Sequence, residues 1–208
     1  MDYSEGLQHY RWQEKLGKKT VARIGLVRSV STIHTNDHNR SLLLQELASL
    51  LEFPVDFHSL QKEIRVSDVK TLTDFTHIHQ HKDDLLDFTH TAALVDAMDI
   101  IISVDTSVAH LAGAMGKTVC ILLPYAPDYR WMLDRPVSPW YPSATLFRQP
   151  TMDDWECVIA VIREIVIKLA REFTSEFSFS IYWIFGVYFR FIYLVTFQYI
   201  SLPKYIKQ

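Results

Sequence analysis

The residues best suited to chemistry lie close together, as Asp105-Thr106-Ser107 and, one helical turn on, His110. They follow Ile100 to Val104, a β-branched apolar run of the kind found in strands buried on both faces of a parallel sheet. Asp, Thr and Ser cap helices because their side-chain oxygens accept the free N–H groups of the first turn. Val108 to Met115 is small and apolar, suited to a helix lying close against a sheet, and Gly116 ends it. Thr118 to Leu123 reads as a second buried strand, stopped by Pro124. The helix of such a unit starts at the carboxyl end of a strand, where free N–H groups and the positive end of the helix dipole favour an anion. Two readings stand side by side: a plain helix cap followed by a histidine, or an anion site.

Other candidates are scattered. Arg40 ends a loop, Ser29 to Arg40, that is rich in Ser, Thr, His and Asn. Its guanidinium is a planar, permanently charged fork that suits phosphate, although a surface Arg near a helix start is as good a reading. Lys62 and Glu63 close a second strand, where a charged pair is usually just solvated. His77, His79 and His81 alternate, so a strand would set them on one face, as a metal site requires. In a polar loop they are simply solvated, and no metal is expected. Trp131, Trp140 and Tyr141 among prolines read as packing of a rigid loop, with stacking on a ligand as the alternative.

The elements that must position these residues alternate in type. Val21 to Val27 and Val55 to Leu60 read as strands, and Ser41 to Leu51 as a helix with leucines at helical spacing. Val69 to Phe75 and Asp83 to Ala97 read as further helices, the second with Leu85, Phe88, Ala92 and Val95 on one face. After the central unit come a Pro- and Trp-rich loop to Ser143, a strand near Thr145 to Arg148, and a helix from Asp153, as N-cap, to about Glu172. Alternating strands and helices imply an α/β fold: a Rossmann-like parallel sheet with helices on both faces. Both candidate loops then open at the carboxyl edge of the sheet, where such sheets bind ligands.

Asp105 to Lys117 resembles the donor-site segment of GT-B glycosyltransferases of the heptosyltransferase-like class, family 9, of the type found behind tetratricopeptide repeats in bacterial proteins. Leu123 to Trp131, Ser138 to Ser143 and Leu146 to Pro150 are similar to the same class, as is His34-Thr35-Asn36-Asp37-His38-Asn39-Arg40-Ser41. The resemblance covers residues 20–172. It implies transfer of a hexosyl or heptosyl group from a nucleotide-diphosphate sugar to an acceptor hydroxyl on a protein or glycan, without cofactor or metal. It further implies that Thr106, Ser107 and His110 face the diphosphate, that Asp105 bonds a sugar hydroxyl, and that Arg40, Ser29 and Asn36 belong to the donor site. Lys62 would lie near ribose or phosphate. The class usually carries Trp-Ser-Gly after the first strand where this chain has Arg28-Ser29-Val30. That substitution removes a position tolerant of φ > 0, so the loop is expected to suffer.

The resemblance also implies a linker helix (1–20) and a nucleotide-sugar-binding domain (21–172), while composition alone marks off an aromatic tail (173–208) that nothing in the class accounts for. The chain would hold the C-terminal, donor-binding half of a GT-B enzyme, with base and acceptor surface supplied by an N-terminal half, for which a separate chain is one source. The alternatives are a catalytically silent fragment that at most binds nucleotide or a partner, and a membrane-tethered accessory protein. Composition narrows the field. With 208 residues, 49% hydrophobic and a net charge of −3, the chain suits one globular domain and lacks the basic footprint of a nucleic-acid binder. Cys120 and Cys157 make no disulfide framework, which with the absence of a signal sequence points to a cytoplasmic protein. Residues 177–202 are long enough to span a bilayer, but Arg190 at their centre would cost about 2.5–3.5 kcal/mol on insertion scales. A replaced C-terminus is the first reading of this tail and a membrane anchor the second.

Overall fold

The computed structural model describes residues 3–30 and 37–174. Asn36 and residues 175–208 of the aromatic tail lie outside them. The chain divides into two units, Met1–Ala170 and Arg171–Gln208. The sheet and its core belong to the first, and the described residues of the second, 171–174, are helical. Among the described residues no helix is long and apolar enough to cross a membrane.

Six strands, β1 (Arg23–Val27), β2 (Asp56–Ser59), β3 (His79–Gln80), β4 (Ile100–Val104), β5 (Val119–Leu123) and β6 (Ala144–Arg148), form one sheet. Their order is β3-β2-β1-β4-β5-β6 and every neighbouring pair is parallel. This is a Rossmann-like α/β sheet. The helices are α1 (Tyr3–Leu16), the short α2 (Asp37–Arg40), α3 (Ala48–Leu51), α4 (Val69–Asp74), α5 (Phe88–Asp96), α6 (Ser107–Ala114) and α7 over 155–174. The chain steps outward from β1 to β3, crosses back, and steps the other way from β4 to β6. Right-handed crossovers therefore distribute helices over both faces.

β1, β4 and β5 are buried along their whole length, which explains why each reads as a continuous apolar run. Gly25 in β1 has a packing reason: a Cβ there would meet Ile101 Cδ1 at 2.6 Å and Leu60 Cδ1 at 2.7 Å. Burial pushes the Cys120 thiol up to about 12, leaving it a core residue. Gly116 takes φ +71 just past α6, the left-handed conformation that ends a helix.

Several boundaries differ from the sequence reading. The helix expected from Asp83 begins at Phe88, because the Asp87 carboxylate accepts the N–H groups of Thr89 and His90 at 2.9 and 3.1 Å. The helix expected over Ser41 to Leu51 is a 3₁₀ turn (Leu44–Leu47) followed by the single turn of α3. Asp153 does not cap α7. It sits at φ +61, and Asp154 Oδ1 accepts the Cys157 N–H at 3.2 Å. β3 was not anticipated as a strand, since two residues carry no readable period.

α1 docks through Trp12, whose indole N–H donates to the His90 carbonyl at 3.1 Å. The Trp12 ring meets the His81 imidazole edge to face, with centroids 5.0 Å apart. His81 Nε2 lies 3.0 Å from His58 Nδ1, and both imidazoles are buried. Burial first, then the neighbouring His79 and His81 imidazoles and Arg23, push the His58 pKa down to about 3. Burial first, then Lys15, push His81 down to about 4, against the pull of Asp84. Unfolded imidazoles titrate near 6.5. Between that value and the folded values the unfolded chain binds more protons, so acid favours unfolding. The contribution of this pair to stability is complete above about pH 6.5 and is lost as pH falls toward 3. Urea midpoints measured from pH 7 down to pH 4 are expected to fall, and to fall less steeply in His58→Asn.

Candidate functional site

The order of the sheet reverses between β1 and β4, so the loops leaving these two strands diverge and open a crevice at the carboxyl edge. A cleft of about 760 Å³ lies there. It is lined by residues following β1, β2 and β4, by the start of α5, and by Arg130. Ser29, Arg40, Lys62, Asp105, Thr106, Ser107 and His110 all face this one cleft.

Asp105 is buried at the end of β4 and paired with Arg40 from α2. Arg40 Nη2 donates to the Asp105 carbonyl at 2.6 Å and lies 2.5 Å from Oδ2 of its carboxylate. The other oxygen, Oδ1, has no hydrogen-bond partner among the described residues. It stands 3.7 Å from His110 Nε2, which is likewise unpartnered. Thr106 is the N-cap of α6: its hydroxyl accepts the Ala109 N–H at 3.4 Å and lies 3.1 Å from Ser103 Oγ. His110 N–H bonds the Thr106 carbonyl and Ala109 N–H its hydroxyl, so among the described residues the N–H groups of Ser107 and Val108 are the donors left at the head of the helix. Capping and anion binding are thus divided within one turn.

His110 is held on two sides. Its ring stacks on Trp131 with centroids 5.0 Å apart, and Nδ1 lies 3.1 Å from the Tyr141 hydroxyl. Burial lowers its pKa, with Asp105 opposing and Arg130 reinforcing, so the ring is neutral near pH 7. Tyr141 reaches it because position 113 is glycine: a Cβ there would lie 2.5 Å from the Tyr141 ring. Trp131 is fully buried and packs the loop, as expected, whereas Trp140 is mostly exposed, its indole donating to the Arg130 carbonyl at 2.9 Å. Tyr141 does more than pack, since it orients a cleft residue. Its partner signal was Gly113, an otherwise unexplained glycine inside a helix.

The loop after β1 is anchored at both described ends. Val30 donates its N–H to Ser41 Oγ at 3.1 Å, and its carbonyl accepts from Arg65 Nη2 at 2.9 Å. Arg65 also bonds Asp37 and Ser41. Among the described non-glycine residues only Met132 and Asp153 have positive φ, so Val30 occupies a conformation that needs no glycine and the expected damage is absent there. Arg28 turns away from the cleft into a buried ion pair with Asp68, at 2.5 Å. Gln61 joins the exits of β1 and β2: it accepts the Arg28 N–H at 3.1 Å and donates to Ser29 Oγ at 2.5 Å. Ser29 therefore has its hydroxyl engaged by Gln61, and Lys62 reaches the Leu86 carbonyl at 3.5 Å. Gln61 and Arg130 were missed by sequence reasoning, because both enter the site through long-range packing. Arg130 carries its charge to the cleft while Nε holds Asp128 Oδ1 at 2.8 Å.

No protein-family model matches this chain, and no curated protein does. Among solved structures it is similar to a glycosyl transferase of family 9 from Veillonella parvula DSM 2008, with a TM-score of 0.50 and 12% identity. The match covers 85% of this chain and 53% of that one, so the chain spans about half the length of this neighbour. At that identity the likeness is one of fold, and the fold is glycosyltransferase-like.

Removing one partner of a buried ion pair leaves an uncompensated charge and typically costs about 3–5 kcal/mol. Arg40→Ala is accordingly expected to lower stability by about that much in urea unfolding, and adding Asp105→Asn to recover part of the loss.

Proposed function

We propose that this chain binds the donor of a glycosyltransferase, a nucleotide-diphosphate sugar, in the cleft between β1 and β4. The observation that carries the reading is the head of α6. Two open N–H groups, the dipole of α6 and Arg130 converge on one wall of the cleft, beside the unpartnered Oδ1 of Asp105. The diphosphate would lie against the Ser107 and Val108 N–H groups. Asp105 Oδ1 and His110 Nε2 would take hydroxyls of the sugar. Arg40, with a nitrogen committed to Asp105, would act mainly by orienting that carboxylate. Lys62, and Asn36 by resemblance, would complete the polar lining. Leu85, Leu86 and Phe88 form an apolar stretch of the same cleft, suited to a base.

In the reaction itself an acceptor hydroxyl attacks the anomeric carbon, the bond from that carbon to the diphosphate oxygen breaks, and the nucleoside diphosphate departs. Fixed N–H donors and cations aimed at the departing oxygens stabilise the charge that develops there. Within this reading residues 1–20 are a linker helix, 21–172 the donor domain, and base and acceptor surface belong to a partner half.

Calorimetry of the full chain with UDP- and ADP-linked sugars tests the proposal. Saturable binding is expected, weakened about tenfold or more by Arg130→Ala, the scale of one hydrogen bond to a charged group. A folded chain that binds none of these donors would refute it.

A further inference from the structure

A second constellation of polar side chains lies at the opposite edge of the sheet from β6, and none of its members lines the cleft. Asp56 and His58 are two residues apart on β2, so their side chains share one face. His79 on β3 is the register partner of His58. One donor atom from each of Asp56, His58 and His79 lies within 4.8 Å of the other two. We propose that Asp56, His58 and His79 form a binding site for a divalent transition-metal ion bridging β2 and β3. The proposal stands independently of the donor-site reading.

Proximity alone would be weak evidence, and the hydrogen bonding of His58 adds a second line. His58 is almost completely buried, at 2% exposure. Its Nδ1 is engaged by His81 Nε2 at 3.0 Å, while its Nε2 is buried with no partner among the described residues. One tautomer of the pair has His58 Nδ1–H donating to His81 and leaves a bare lone pair on His58 Nε2. That is the arrangement of a metal-bound histidine, whose other ring N–H is oriented by an acceptor behind it. The remaining two donors can adjust. The His79 and Asp56 side chains are 50% and 37% exposed, free to close on an ion that holds its ligands at about 2.0–2.2 Å. The His58 and His79 rings are stacked nearly parallel, 17° apart with centroids at 4.6 Å. His79 must therefore turn about its side-chain torsions to direct its lone pair at the ion. His58, buried and held by His81, is the fixed member.

Two imidazoles and one carboxylate select zinc, cobalt or nickel over magnesium and calcium, which take oxygen donors. Such a site would bind β3, only two residues long, to its neighbour through side chains as well as backbone. The expectation of no metal rests on His77, His79 and His81 being solvated in a polar loop and on a resembled class that needs none. The structure separates them: His77 Nε2 is engaged at 2.7 Å by the Leu51 carbonyl, and His81 stands behind His58. The strand partner supplies the missing ligands.

The test is titration of the full chain, stripped with chelator, with Zn²⁺ by calorimetry and with Co²⁺ by visible absorption. One equivalent of each ion is expected to bind. His79→Ala and Asp56→Asn, both at partly exposed positions, are each expected to weaken binding at least tenfold and to abolish the cobalt ligand-field bands. His77→Ala is expected to bind as the parent chain does. Absence of saturable Zn²⁺ binding would overturn the proposal, as would equal affinity and stoichiometry in the parent chain and His79→Ala.

Discussion

One contact across the middle of the sheet holds the cleft in shape. Parallel strands diverge at the point where their order reverses, and the β1–β4 ladder ends at the pairing of Val27 with Ser103. Arg40 does so with a single nitrogen, which meets both the carbonyl and the carboxylate of Asp105. Both side chains are largely withdrawn from water. In that setting a well-packed apolar pair would hold the gap as firmly. What the charges add is orientation: one carboxylate oxygen is taken by Arg40 and the other is left toward the cleft.

The walls on either side of that contact are built by different means. α6 is braced from outside by Trp131 and Tyr141, and Gly113 gives the Tyr141 ring room to reach His110. The loop after β1 is latched by Arg65 through Val30, Asp37 and Ser41. Gln61 then joins the exits of β1 and β2. Fixed polar groups at the head of α6 and an apolar stretch beside α5 give the cleft two unlike ends. Such a division suits a ligand with a charged linkage between two less polar parts.

The histidine cluster at the outer edge follows a separate logic. Two imidazoles, His58 and His81, are buried side by side, His81 with its ring against Trp12, and burial keeps them neutral. α1 thereby rests on groups that water would prefer to protonate in acid. Among the described residues the Nε2 of His58 is buried without a partner. A neutral imidazole with an unshared pair and two adjustable neighbours is a different instrument from the charged groups at the cleft.

The sequence by itself determined the central unit. Ile100 to Val104 and Val119 to Leu123 are strands, Thr106 caps α6, and Gly116 ends it, because buried parallel strands, caps and left-handed terminations each leave a local signature. The fold class and the gathering of Asp105, Thr106, Ser107 and His110 follow from those signatures. Tertiary structure decided what local pattern cannot carry. Arg40 meets Asp105 across 65 positions, Gln61 reaches Ser29 across 32, and Tyr141 reaches His110 across 31. β3 pairs along the edge that β2 offers it, and Val30 is tolerated because its backbone stays out of the left-handed region, with Arg65 and Ser41 bonded to it. Period and capping are properties of neighbours in the chain. Ion pairs, brackets and ligand sets belong to neighbours in space, and these appear only when the sheet has brought them together.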